Sequence, residues 1–348
     1  MLTKKQVLEI REHLQKSANP VFFYDSDADG LSSFLLLAKW LGRGKGIVAK
    51  SFDEQTEIYL KRIRELGSDY VFVLDKPQIN NTFIEGVKEM NLPLIVIDHH
   101  EVPKLKTEFY YNTFDVSGKN EPVSYLCYEI TKQKKDMWVA VVGCIGDCFL
   151  PKFLKEFKKE NSDFIDCKYQ TAFDVYYKCK IGKLVKIFNY GLKDTTTNVV
   201  KMMNFLVKAN FPSEVLEENS KTKTFLEKYE QIENILNKLF LKAKEKIKDN
   251  LLFFAYSGEM SLSQHLADKL IYEYPEKVIV VGYEGENKGR IKFSLRGKID
   301  VRKIVLDAVK KFEGATGGGH KNSAGLQIFS KDVEEFKRFL EKRVNFNF

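Results

Sequence analysis

The chain has 348 residues, of which 44% are hydrophobic and 30% charged, and a formal charge of +8. That composition excludes a disordered, collagen-like or fibrous chain, and the length suits two domains of unequal size, each able to bury a core. The positive charge favours polyanionic partners without requiring them.

The first residues, MLTKKQVLEIREHLQKS, scatter charges among the apolar positions, so no signal peptide is expected. No later apolar run approaches bilayer-spanning length, and a cytoplasmic protein without a membrane partner is expected. The five cysteines, Cys127, Cys144, Cys148, Cys167 and Cys179, form no CxxC pair. Neither a disulfide framework nor a structural zinc site is indicated, and they are read as reduced thiols.

In chain order, NPVFFYDSD, LSSFLLLAKWLG, GIVAKSF, EQTEIYLKRIREL, DYVFVLD, TFIEGVKEM and PLIVID alternate short apolar runs with amphipathic ones. The alternation predicts βαβ units around a mainly parallel sheet. VFFYD, VFVLD and LIVID each end in aspartate, and in open α/β sheets ligands gather at the carboxyl ends of strands. EPVSYLCYEITKQKKDMWVAVVGCIGDCFL predicts two helices, the second buried, with Asp147 near its end.

A lysine-rich helical stretch follows. From Ser213, Phe225, Tyr229, Ile232, Leu236, Leu239, Ala243 and Ile247 recur at spacings of three and four, which predicts one long connecting helix. Beyond Asn250 the pattern predicts a strand (LLFFAYS), a helix (SLSQHLADKLIYEY), a hairpin (KVIVVGYEG and RIKFSLRG), a helix (DVRKIVLDAVKKF), a strand (GLQIF) and a final helix. The fold class is therefore α/β. A mainly parallel-sheet domain with a helical extension (1–212) is expected to be joined by a connecting helix (213–250) to a smaller α/β domain (251–348).

FFYDSDADGLSS places Asp25, Asp27 and Asp29 at alternate positions, closed by Gly30 and followed by a helix from Ser32 or Ser33. Turn chemistry and helix capping account for one aspartate, not three. The spacing resembles the start of a calcium loop, but the ligand glutamate and the helix before the loop are missing. Asp98, His99 and His100 close a buried strand, and read as a ligand with a general acid or orienting partner. Asp75 and Asp147 complete a set of oxygen donors with imidazole. That mixture suits two divalent ions, manganese first and magnesium second, better than a thiolate site would. Two such ions about 4 Å apart would lower the pKa of a water and neutralise charge developing on phosphoryl oxygens. Cys144 and Cys148, four apart on an apolar helix, are read as core. In GATGGGHKNSAG, Gly317, Gly318 and Gly319 precede His320 and Lys321, and glycine lets backbone N–H groups approach a phosphate closely. The bland reading is a flexible loop between helix and strand. His13 and His265 are given no role.

DSDADG, the aspartate of VFVLD, DHH and the aspartate of GCIGD follow the order and spacing of the four motifs of the DHH phosphoesterase superfamily. GATGGGHKNSAG resembles the glycine-rich motif of its associated C-terminal domain. The resemblance runs from about Val21 to Gly325 and is specific only when the motifs are taken together. It implies Asp27, Asp29, Asp75, His99 and Asp147 as metal ligands, with Asp25, Asp98 and His100 as further ligands or their orienting partners. Members acting on short oligonucleotides or cyclic dinucleotides typically carry a histidine where Phe23 stands here. The Asp-x-Asp-x-Asp-Gly form resembles RecJ-like exonucleases, and the two-domain length resembles the archaeal ones. Bacterial RecJ usually has a further oligonucleotide-binding domain, for which no chain is expected here. RecJ-like relatives keep an arginine where Arg296 stands, for phosphate or base contacts; Arg290, Lys292 and Lys298 are read as solvated strand charges. Lys76 and Pro77 after Asp75 depart from the small or polar residues expected there.

The resulting expectation is a metal-dependent exonuclease that degrades single-stranded DNA and/or RNA to mononucleotides in repair, replication or RNA turnover. The terminal phosphodiester would be held by Arg296 and Gly317 to His320, with His100 and Asp98 as the acid pair. The alternatives are a phosphodiesterase for short oligonucleotides or cyclic dinucleotides, and a replication-complex scaffold that binds repair or replication proteins.

Overall fold

The computed structural model describes residues 1–285 and 289–345. The turn of the hairpin expected between KVIVVGYEG and RIKFSLRG, at 286–288, and the end of the C-terminal domain, at 346–348, lie outside the described residues. The chain divides into two compact units, Met1–Tyr229 and Glu230–Phe348.

The first unit runs Lys4–Lys16 (α1), Pro20–Asp25 (β1), Ala28–Leu41 (α2), Lys45–Ala49 (β2), Phe52–Glu65 (α3), Tyr70–Leu74 (β3), Asn81–Glu89 (α4), Leu94–Asp98 (β4), Phe109–Asn112 (β5) and Thr113–Ser117 (α5). It continues through Val123–Thr131 (α6), Met137–Gly146 (α7), Leu154–Glu160 (α8), Ala172–Lys178 (α9), Ile181–Gly191 (α10), Thr196–Leu206 (α11), Pro212–Leu216 (α12) and the start of Lys223–Lys244 (α13).

Its sheet has the order β2-β1-β3-β4-β5, and every neighbouring pair is parallel. Parallel strands joined by helical crossovers are covered on both faces, so the strands read as continuous apolar runs. Alternation along each strand then sorts them. Phe22, Tyr24, Phe72, Leu74, Ile95 and Ile97 pack toward α2, α6 and α7, while Val21, Phe23, Val71, Val73 and Val96 pack toward α3 and α4. The chain leaves β1 for β2 on one side and returns to β3 on the other, so the order reverses at the β1/β3 boundary. A crevice opens at the carboxyl ends of strands where that happens.

The second unit contains the rest of α13, then Ile247–Lys248 (β6), Leu251–Ser257 (β7), Ser263–Glu273 (α14), Val278–Glu284 (β8), Arg290–Arg296 (β9), Val301–Lys311 (α15), Thr316–His320 (β10), Ser323–Phe329 (β11) and Val333–Asn345 (α16). Its sheet has the order β10-β11-β9-β8-β7-β6, with β7 and β8 parallel and the other pairs antiparallel.

Several expectations are corrected. The helix after the first acidic motif begins at Ala28, with Asp27 as its N-cap, rather than at Ser32 or Ser33. The long helix begins at Lys223, because the helical path is interrupted after α12, where the Thr222 hydroxyl accepts the Asn219 N–H and donates to the Asn219 carbonyl. The glycine run is an edge strand, β10, and not a loop. Cys167 and Cys179 form a disulfide with Cα atoms 5.1 Å apart, which their separation of 12 residues does not announce. Cys144 is buried as expected, but Cys148 is exposed: α7 ends at Gly146, and Cys148 sits beyond it in the left-handed region at φ +55°.

Gly30 joins the sheet to α2. A Cβ there would lie 2.5 Å from the Asp25 carbonyl oxygen and 2.7 Å from its nitrogen, and backbone atoms cannot swing aside. Gly30→Ala is expected to cost about 1–3 kcal/mol of stability by overpacking. Chemical denaturation of the two proteins checks it.

Candidate metal centre

β1, β3 and β4 are neighbours, so their carboxyl ends bring Asp25, Asp75 and the Asp98-His99-His100 run to one edge of the sheet. Asp27 caps α2, its Oδ1 accepting the Gly30 N–H at 2.9 Å. Asp147 caps the carboxyl end of α7. Asp75 stands just past β3 at φ +58°, a left-handed conformation that costs a non-glycine residue about 1–3 kcal/mol and is typically retained at functional sites.

The imidazoles face these carboxylates. One ligand atom each from Asp75, His99 and His100 lies within 4.8 Å of the others, a spacing suited to one cation. His99 Nε2 is 3.1 Å from Asp75 Oδ1 and its Nδ1 is 3.7 Å from Asp147 Oδ2. Neither approach has hydrogen-bond geometry. Asp75 Oδ1, Asp98 Oδ2 and His99 Nδ1 are thus buried polar atoms without a hydrogen-bond partner. Buried polar atoms are almost always satisfied, and a divalent ion with oxygen and imidazole donors would satisfy these. The residues present therefore fit a metal of the manganese or magnesium type.

Other members of the predicted set have partners of their own. Asp29 is 2% exposed. Its Oδ2 accepts the Val123 N–H at 2.8 Å and its Oδ1 accepts the Ser124 N–H at 3.0 Å and the Ser124 hydroxyl, all at the N-terminus of α6. Asp25 Oδ1 lies 2.5 Å from Lys76 Nζ. Asp98 holds His100, Oδ1 to Nδ1 at 2.8 Å.

The electrostatics follow from burial and like charge. Burial, with Asp25 and Asp29 nearby, pushes the Asp27 carboxyl up to about 8. Burial likewise raises Asp75 well above the carboxylate range, reinforced by Asp29, Asp27 and Asp25. Asp147, whose side chain is 36% exposed, is pushed up to about 6 by desolvation among its neighbours and by Asp29, against the lowering effect of His99. Burial pulls His100 down, but the hydrogen bond and charge of Asp98 outweigh it, and the imidazole ends above its ordinary value.

Sequence reasoning missed three participants. Ser124, with Val123, takes up Asp29. Asn189 accepts the Ala28 N–H through its Oδ1 at 2.8 Å and so helps seat α2; an asparagine inside the apolar run IFNYGL was the available signal. Lys193 is mostly buried, which lowers its pKa, while the charge of Asp27 pulls it up. No pattern marked it.

In the second unit Arg296 is the last residue of β9 and is paired with Ser323, which in turn pairs with His320. Arginine and histidine thus stand two strands apart at one end of that sheet. Arg296 Nε donates to Asp268 Oδ1 at 2.6 Å, which holds the guanidinium in place. Of the three glycines, Gly319 has φ +133°, and a Cβ on Gly317 would come within 2.6 Å of the Gly325 carbonyl oxygen.

An α/β sheet with acidic and imidazole side chains at its carboxyl edge suits a domain that binds a divalent metal. The DHH family, N-terminal domain, matches residues 21–146, and the DHHA1 domain matches residues 249–345. The chain belongs to the DHH phosphoesterase superfamily and has a RecJ-like fold. RecJ from Thermus thermophilus in complex with Mn2+ superposes with a TM-score of 0.72 at 16% identity, over 99% of this chain and 55% of that one. Exonuclease RecJ bound to manganese gives 0.66 at 15%, over 99% and 95%. CDC45 from Entamoeba histolytica gives 0.52 at 11%, over 98% and 99%. At these identities the likeness is one of fold, and this chain spans about half the length of the Thermus protein. No curated protein matches by sequence. Among the described residues, no helix is long and apolar enough to cross a membrane.

The raised carboxyls set a pH dependence for the metal-free chain. They hold protons that the unfolded chain, with carboxyl pKa values of about 4, has already released. The stability they confer is therefore present at acid pH and is lost as pH rises through about 6 for Asp147 and about 8 for Asp27. The melting temperature of chelator-treated protein is expected to fall between pH 5 and pH 8.5, and manganese at pH 8.5 is expected to reverse the fall.

Proposed function

We propose that this protein is a metal-dependent exonuclease that hydrolyses terminal phosphodiester bonds of single-stranded DNA and/or RNA, releasing mononucleotides. The observation that carries the reading is the set of buried, unsatisfied oxygen and imidazole atoms of Asp75 and His99 at the edge where β1, β3 and β4 end. The proposed metal site comprises Asp27, Asp75, His99 and Asp147, with Asp25 and Asp29 beside it and manganese preferred to magnesium. A divalent ion bound there supplies an activated water and charge neutralisation at the phosphoryl oxygens. His100, oriented by Asp98 and favoured in its protonated form, is the proton donor to the leaving oxygen. Asp98 has the role of the carboxylate that fixes the ring.

Arg296, pre-positioned by Asp268, offers a planar fork to a phosphate. The strand from Gly317 to His320 presents backbone at an open sheet edge, since nothing lies within 4 Å of where a Gly318 Cβ would stand. The reading is preferred to a short-oligonucleotide phosphodiesterase because Phe23 is fully buried in the core beneath α3 and α4, where those members carry a polar histidine. Partners in replication or repair are compatible with the CDC45-like fold.

The test is degradation of DNA and RNA strands labelled at either end, with manganese, magnesium or chelator. Mononucleotide release that needs the metal and falls by about 100-fold or more in Asp75→Asn and in Asp27→Ala is the expected result. Cleavage confined to dinucleotides, or none, would move the assignment to the short-substrate enzyme or the scaffold.

A further inference from the structure

We propose that the Lys76 ammonium is a built-in cation standing in for one divalent ion, so that the strand-end centre holds a single metal where the sequence suggests two. The inference rests on the metal-dependent reading above and refines the composition of the same site.

Lys76 follows the left-handed Asp75 out of β3, and its side chain crosses to the neighbouring strand. Nζ lies 2.5 Å from Asp25 Oδ1 and 3.3 Å from the Lys50 carbonyl oxygen, just past the end of β2. The Lys76 side chain is only 14% exposed. A surface lysine pairing for solubility would be largely solvated and would gain little from the contact. This one is threaded among the strand ends, where an ammonium on a carboxylate oxygen takes the place of a metal on that oxygen. Being a donor alone, it cannot itself ligate an ion.

The remaining carboxylates reach the same conclusion independently. Asp29 has both oxygens engaged by Val123 and Ser124, so ligation by it requires breaking buried hydrogen bonds at the α6 N-terminus. Asp98 has its Oδ1 engaged by His100, while its Oδ2 is buried without a hydrogen-bond partner. With Asp29 held on both oxygens and Asp25 held by Lys76, the donors left are Asp27, Asp75, His99, Asp147 and the unpartnered Asp98 Oδ2, a set that suffices for one ion with water completing its shell. A second divalent ion on Asp25 would also stand against the fixed positive charge of Lys76.

The experiment is a count of manganese bound per folded full-length chain, by equilibrium dialysis and electron paramagnetic resonance, with no nucleic acid present. Wild type is expected to bind one ion and to show the six-line spectrum of isolated Mn2+. Lys76→Met is expected to bind two, with the broadened signal of a spin-coupled pair. Lys76→Arg, which keeps the charge, is expected to stay at one. Two coupled ions in wild type would overturn the proposal whether or not the variants fold, and so would a count of one in folded Lys76→Met. Two ions in wild type leave the metal-dependent reading intact, whereas no bound manganese would remove both.

Discussion

Mutual repulsion among carboxylates gathered at the end of a buried sheet is the constraint on which the rest of this structure depends. Two unit charges about 4 Å apart interact by about 4 kcal/mol at the effective dielectric of a protein surface, and by more when burial deepens. The fold must therefore offset nearly every aspartate it places there. It does so differently for each. Asp29 sits on the amino end of α6, where free N–H groups and the helix dipole accept a negative charge. Asp25 has Lys76, and Asp98 has His100. Asp27, Asp75 and Asp147 are offset only in part, Asp27 by the Gly30 N–H and the other two by the nearby His99, and their raised pKa values express the remaining deficit.

The deficit links architecture to chemistry. Parallel strand order brings β1, β3 and β4 side by side, and its reversal at the β1/β3 boundary keeps a loop from covering their ends. Gly30 lets α2 start against β1, and Asn189 and Ser124 hold the first turn of α2, which carries Asp27 and Asp29. Side chains held by such contacts need little rearrangement when a ligand binds. The mixed sheet of the second unit follows a separate logic, with a tethered arginine at the end of β9 and a glycine-rich strand at its open edge.

Much of this is legible in the sequence because a parallel sheet writes its strands as short apolar runs, three of them ending in aspartate. The strand-end placement of Asp25, Asp75 and Asp98 follows from that pattern alone. What is not legible depends on long-range partners. Asp29 matches a ligand motif, yet its oxygens are turned toward α6, 94 residues away, by a contact that no local pattern records. The glycine run reads as a loop because glycine lowers strand propensity, whereas pairing with β11 decides its state. Apolar periodicity starts the long helix too early because it ignores the Asn219–Thr222 turn. Cys167 and Cys179 carry no signal of their pairing. The departure at Lys76 is visible in the sequence, but its meaning comes only with the distance to Asp25.

The most direct test of the account is anomalous diffraction at the manganese edge from crystals soaked in Mn2+. The account requires a peak bounded by Asp27, Asp75, His99 and Asp147 at the carboxyl ends of β1, β3 and β4. No peak there, or manganese bound only elsewhere on the molecule, would contradict it.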